Sequence, residues 1–379
     1  MRTLALLASA TFTISLTAAE PAVPTKADVE AMITKAQTFV LAQQQPNGAF
    51  SPGEKYILGI TAMATDSLAK PPLALDGKDP RIVKALTLLK SFKQPDGGIY
   101  DPTEGLGSYV TSLSLMAFIS TKEADAAFIN GGRDYLFGLQ NNDDGAIFNG
   151  GIGYGSRGKG AEDISNTAFA VQGLVAAGVP ATDPHMQKAL AFLERCQDLS
   201  SVNKLPWVQN TGGAVYTPDE SKAEGSWNAD KAKPGDPAPK LLPYGSVTYQ
   251  LISSYIALDL KPEDPRVKAA MGWITQNYRL DANPGMLPGK ERQGLYYYYA
   301  AMARTFDLMD ASTLDVKGGK VDWRADFFKA ISAEAKPTKL PDGSAAVYWE
   351  NSEKRWGESS PALVTTYMIR SLKHLHSTL

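Results

Sequence analysis

A helix–loop–helix unit recurs along this chain, and it limits the chain to a stacked helical architecture. In the clearest copy, Asp79-Pro80-Arg81-Ile82 opens a helix that runs through Leu86, Leu89 and Phe92. That helix ends at Gln94-Pro95-Asp96-Gly97-Gly98-Ile99-Tyr100, and Ser108-Tyr109-Val110-Thr111 leads into a second helix through Leu113 and Phe118. Asp183-Pro184-His185-Met186 and Asp264-Pro265-Arg266-Val267 open sister helices. A period of tens of residues means that each unit buries its apolar face against its neighbours.

Six helix pairs follow from the pattern: 29–45 with 55–68, 81–93 with 108–120, 126–140 with 165–178, 186–197 with 246–260, 267–278 with 295–308, and 323–335 with 360–374. First helices such as Ile82-Val83-Lys84-Ala85-Leu86-Thr87-Leu88-Leu89-Lys90 alternate apolar and Lys positions at helical spacing, so one side faces water. Second helices such as Thr167-Ala168-Phe169-Ala170-Val171-Gln172-Gly173-Leu174 are apolar nearly all round and must touch protein on most sides. Alternating outer and inner helices describe an all-α fold of two concentric rings, an α/α toroid. The loops agree with this. Asp-Pro supplies an N-cap followed by Pro at the first helical position. Gln-Pro-Asp-Gly-Gly is a turn whose glycines reach positive φ. The segment 200–243, with Trp207, Trp227 and several prolines, is a long polar insertion in the fourth unit, either a functional loop or a disordered one.

The N-terminus reads as a secretory signal over residues 1–19. Arg2 precedes an apolar stretch from Leu4 to Leu16, and Thr17-Ala18-Ala19 supplies the small residues of a cleavage site. The mature protein, 20–379, is therefore expected in the periplasm or secreted. No later segment approaches the roughly 18 apolar residues of a membrane span, so none is expected. Formal net charge is -2 with no basic stripe, which leaves no electrostatic footprint for nucleic acid. The single cysteine, Cys196, lies in an amphipathic helix and reads as a buried hydrophobe. Nothing in the sequence sets an oligomeric state.

The turns resemble the Gln–Trp repeats of the terpenoid cyclase and protein prenyltransferase superfamily, the squalene-cyclase-like toroids. Gln94 through Tyr100 fits that pattern with Tyr for Trp, Gln45-Pro46-Asn47-Gly48-Ala49-Phe50 fits with Phe, and Gln140 through Gly145 to Phe148 fits loosely. The likeness covers nearly the whole mature chain and implies the toroid fold. It does not carry over the chemistry. Squalene-type cyclases protonate their substrate with the central Asp of an Asp-x-Asp-Asp-Thr-Ala motif, and the matching Asp163-Ile164-Ser165-Asn166-Thr167-Ala168 has Ser165 there and Asn166 beside it. Prenyltransferases use a zinc site of Asp, Cys and His. With only His185, His374 and His376 beside one cysteine, no such cluster forms, so no metal and no cofactor are expected.

The candidates that remain lie where inner helices begin. Glu162 and Asp163 precede one inner helix and Glu358 another; they are the candidate catalytic carboxyls, with helix capping as their structural alternative. Tyr154, Tyr244, Tyr296, Tyr299, Trp349 and Trp356 are the candidate ligand-binding aromatics, with core packing as theirs. Three readings stand: an aromatic cavity that binds or transforms an isoprenoid or other small apolar ligand; a glycan-binding or glycan-cleaving barrel; and a non-catalytic scaffold. A deep aromatic pocket favours the first, an open acidic groove the second, and a filled centre the third.

Overall fold

The computed structural model describes residues 21–379 apart from 54, 156–160, 229–230, 232 and 234–235, so the expected signal segment lies outside the described residues. Outer helices are α1 (Lys26–Ala42), α3 (Pro80–Ser91), α5 (Ala126–Leu139), α7 (Pro184–Cys196), α9 (Pro265–Asn277) and α11 (Trp323–Glu334). Inner helices are α2 (Ile57–Ala69), α4 (Gly107–Thr121), α6 (Ile164–Ala176), α8 (Gly245–Ala257), α10 (Leu295–Leu308) and α12 (Pro361–Ser377). Each inner helix packs on the next, α2 on α4 and so on to α12, and α12 returns to α2. The ring is closed. Burial follows the expected division: α6 buries every residue from Ile164 to Leu174, whereas α3 buries only Ile82, Ala85, Leu86 and Leu89.

The closure is also polar. Asp66 of α2, fully enclosed, accepts hydrogen bonds from Lys70 Nζ at 2.8 Å and from Arg370 Nη1 of α12 at 3.2 Å. Burial pushes its carboxyl up, but the two cations outweigh it and hold it below its ordinary range.

The repeat has a physical basis in three contacts. A Gln at the end of α1, α5 and α7 ties its own loop to the start of the next outer helix, whereas Gln94 after α3 bonds only within its own loop, to the Phe92 and Tyr100 carbonyls. Gln140 Nε2 donates to the carbonyls of Gly150 (2.9 Å) and His185 (2.8 Å), and Gln197 Nε2 to those of Gly212 (3.1 Å) and Arg266 (2.9 Å). In the first unit this residue is Gln44, reaching Gly48 and Arg81, and not Gln45 as the spacing suggests. Second, a Thr of the inner helix accepts the N–H of the loop residue behind the glycines: Thr61 from Phe50, Thr111 from Ile99, Thr167 from Ile152, Thr248 from Ala214 and Thr365 from Trp349, at 2.9–3.2 Å. Third, Gly48, Gly97, Gly150 and Gly212 have φ between +84° and +99°, and a Cβ on any of them would strike a carbonyl of the next outer helix. These glycines serve backbone approach between units, which also explains Gly150 in the glycine-rich run before α6.

Two hairpins with four-residue strands flank α11 and interrupt the helical reading. β1 (Thr313–Val316) pairs antiparallel with β2 (Gly319–Asp322), and β3 (Lys336–Lys339) with β4 (Ala345–Tyr348). Among its described residues the segment 200–243 contains no α-helix, and it packs on a small core of its own, Trp207, Val215 and Leu241, with Trp207 Nε1 donating to the Pro218 carbonyl at 2.7 Å. Cys196 is a free, buried thiol, and burial pushes it well above its ordinary range.

Candidate functional site

The first turns of the inner helices converge on a cavity of about 210 Å³. Gly59 and Ile60 come from α2, Tyr109 and Val110 from α4, Ser165 from α6, Ser246 from α8, Tyr297 from α10 and Leu363 from α12. All sit at or near the second to fourth position of their helix, so one register of the repeat builds the wall. Loops add Tyr154, Tyr216, Tyr244, Trp356 and Glu358, and Met63, Leu106, Leu113 and Tyr367 complete the wall.

Rings form a belt around it. Tyr109 packs on Tyr154 (centroids 6.2 Å apart) and on Phe169 (4.9 Å), Phe169 on Tyr297 (6.4 Å), and Tyr297 on Tyr367 (5.9 Å). At the mouth, Tyr56 and Trp356 are 40% and 39% exposed, more than the other rings of the wall, which are buried or half-buried. Both hold the left-handed backbone region, at φ 61° and 57°, where a bulky side chain costs about 1–2 kcal/mol. Trp356 lies over Gly294, which has no side chain to block it, and the Arg355 guanidinium sits 4.4 Å from its ring centre.

Two buried carboxyls serve the site. Asp163 caps α6: Oδ1 accepts the Asn166 N–H (2.9 Å) and Oδ2 the Asn166 amide (2.6 Å). Burial pushes it up to about 6, against those hydrogen bonds and one from the Tyr216 side chain. Glu358 faces the cavity itself. Its Oε1 accepts the Tyr297 N–H at the start of α10 (2.8 Å), and Oε2 accepts the Asn351 amide (2.6 Å). Burial pushes it up to about 7, against the same donors. A carboxyl there exchanges its proton near neutral pH, the property that general acid–base work needs. Hydroxyls complete the polar edge. Tyr154 and Tyr216 oxygens are 2.9 Å apart, and Ser165 and Tyr297 oxygens 3.1 Å apart.

Of the residues expected from the sequence, Tyr154, Tyr244, Trp356 and Glu358 line the cavity, and Asp163 stands behind its polar edge. Glu162 does not reach it: the backbone is extended at Asp163, so neighbouring side chains point to opposite sides, and Glu162 instead accepts from Asn141 at 3.2 Å. Tyr296 and Tyr299 do share a helix face, but that face looks outward. They meet edge to face (5.8 Å), Tyr299 meets Phe327 of α11 in the same way (5.6 Å), and its hydroxyl donates to the Leu280 carbonyl. Tyr297, between them, is the residue that turns inward. Trp349 is buried against α11, with Nε1 donating to the Ile331 carbonyl at 2.8 Å. Tyr109, Tyr216, Tyr367 and Ser246 escaped the sequence reading. For Tyr109 and Ser246 the signal was available: their place in the first turn of an inner helix, the same as that of Ser165.

No family model matches the sequence, and no curated protein matches it. Solved structures do match along nearly the whole length. Type II terpene cyclase MstE from Scytonema, without ligand, is 16% identical over 94% of this chain and 100% of that chain, with a TM-score of 0.55. A variant of the same cyclase in complex with merosterolic acid A is 15% identical over 93% of this chain and 99% of that chain, with a TM-score of 0.57. D-mannose isomerase is 14% identical over 95% of this chain and 100% of that chain, with a TM-score of 0.58. The chain has a terpenoid-cyclase-like α/α toroid fold. At these identities the likeness concerns the fold alone, and the chemistry has to be argued from the site.

Proposed function

We propose that this protein binds a small apolar ligand of isoprenoid type in the aromatic cavity at the mouth of its toroid. The lining carries the reading. Tyrosine faces, with Ile60, Met63, Leu106, Val110, Leu113 and Leu363, surround a space that holds a single carboxyl, Glu358, among the described residues. That is the composition of a pocket for apolar matter with a few placed polar groups. Ring faces also favour positive charge that develops on such a ligand. The fold neighbour MstE, whose substrate is geranylgeranyl dihydroxybenzoate, supports the same ligand class. Ser165 lines the cavity in the place where the cyclase motif has its proton donor, so Glu358 is the residue we assign to proton transfer, with Asp163 behind the Tyr216–Tyr154 pair as the second candidate.

The test is ligand-induced thermal stabilisation of the mature chain, using prenyl compounds of graded chain length beside free hexoses. Binding to the native state raises the melting temperature with ligand concentration. Stabilisation by the prenyl series alone is expected. Stabilisation by hexoses alone would overturn the proposal in favour of the glycan reading, and no shift from either would favour the scaffold. We also propose export, on the Arg2 to Ala19 signal pattern; N-terminal sequencing of protein recovered outside the cytoplasm should begin at Glu20. Among the described residues no helix is long and apolar enough to cross a membrane.

A further inference from the structure

The hydroxyl edge of the cavity has a direction, set by Asp163. An ionised carboxylate only accepts, so the Tyr216 hydroxyl, which hydrogen-bonds to Asp163 and favours its charged form, donates to it. The Tyr154 oxygen lies 2.9 Å from that of Tyr216, so Tyr154 in turn donates to Tyr216. Both protons of the pair are used within the wall, and the Tyr154 oxygen, which already accepts from the Asn166 amide, keeps one lone pair for its surroundings. Asn166, which also contacts Tyr154, is held in place by the Ser108 hydroxyl donating to its Oδ1 at 2.6 Å. The second pair behaves differently. Ser165 and Tyr297 carry two protons, and only one can lie in the 3.1 Å between their oxygens. The other is free to point into the cavity. Around the N-terminal turn of α6, the wall thus offers one acceptor and one donor.

Charge narrows the choice further. Glu358 lines the cavity, Asp163 stands behind its edge, and no Lys or Arg is part of the lining among the described residues. Arg355, at the mouth, is engaged by the Trp356 ring and by Gln293 Oε1 at 2.8 Å. A diphosphate is acceptor-only and multiply negative. It would find no cation in this lining, and the carboxyls of Glu358 and Asp163 close by instead. A bare hydrocarbon would leave the desolvated hydroxyls of the edge without partners.

We propose that the cavity selects ligands whose polar end is an uncharged hydroxyl, donating to Tyr154 and accepting from the Ser165–Tyr297 pair, with the hydrocarbon chain along Ile60, Met63, Val110, Leu113 and Leu363. This specificity rests on the apolar-ligand reading above. Equilibrium dialysis of the mature chain against farnesol, farnesyl diphosphate and farnesene, which share one chain length, tests it. Farnesol is expected to bind about tenfold more tightly than either of the others. Tyr154→Phe and the double variant Ser165→Ala/Tyr297→Phe should each weaken farnesol by about three- to tenfold and leave farnesene unchanged. Tyr296→Phe, outside the cavity, should alter none of them. Diphosphate binding as tight as the alcohol would overturn the proposal while leaving the apolar-ligand reading intact. So would an equal loss for alcohol and hydrocarbon in the two variants. Failure of all three to bind would overturn that reading and this one with it. The comparison of ligands on the unaltered chain needs no variant to fold.

Discussion

Replacing Glu358 by Gln isolates the free energy stored by burying one carboxyl against the cavity. The group is fully enclosed, and burial moves it from 4.5 to about 7. Between those values the folded protein keeps a proton that the unfolded chain has released. Stability drawn from this group is therefore fully present below pH 4.5 and lost as pH rises through about 7. At roughly 1.4 kcal/mol per pH unit, the loss amounts to about 3 kcal/mol. The E358Q protein has no such titration. Its amide carbonyl can keep the Tyr297 N–H, but its NH2 group faces the Asn351 amide donor, which adds a pH-independent destabilisation of about 1–2 kcal/mol. Urea unfolding of both proteins from about pH 4 to about pH 8 should show E358Q less stable at the acid end. The difference should then swing in its favour by about 3 kcal/mol at the alkaline end. Asp163 titrates in the same window, but it does so in both proteins and largely cancels in the difference. A difference that stays constant across the range would refute the reasoning, because it would mean that Glu358 is ionised as readily in the fold as outside it.

Two further tests address the repeat. Thr167→Val should destabilise by about 1–3 kcal/mol in urea unfolding, since the Ile152 N–H loses its buried acceptor, and Thr167→Ser should recover most of that loss. Gly150→Ala should lower stability by about 3 kcal/mol or more, because its φ of +84° is combined with a Cβ on the Lys188 carbonyl; Gly178→Ala, at φ +82° with open space around it, should lose only about 1–2 kcal/mol.

The ring architecture was legible because its causes are local. Asp-Pro capping, the Lys-bearing faces of α3 and the uniformly apolar α6 each follow from short-range chemistry, and the helix ends fall within a few residues of their expected places. The hairpins beside α11 were not legible, since four residues are too few to show a period. The site was legible where it depended on position in the repeat and illegible where it depended on helix rotation. α10 begins Leu295-Tyr296-Tyr297-Tyr298-Tyr299, and an inner helix surrounded by protein carries no polar stripe to say which tyrosine looks inward. Glu162 and Asp163 pose the same difficulty on extended backbone, where adjacent side chains part company. Tyr216 stands four residues after Gly212, as Tyr154 does after Gly150, so its register was in the sequence and only its place on the cavity wall was not.

A ring has no ends. An open stack of helical repeats needs specialised terminal units to shield its outermost faces, and it can gain or lose a unit without consequence for the others. In this chain α12 covers α2, and α1 lies against α12, so the twelfth helix completes the burial of the first two. Removing one unit would open a gap instead of shortening a stack. Conversely, where the chain begins and ends is a matter of sequence order and not of architecture, and a molecule whose existing termini were joined and reopened in another outer loop would keep every wall of the cavity.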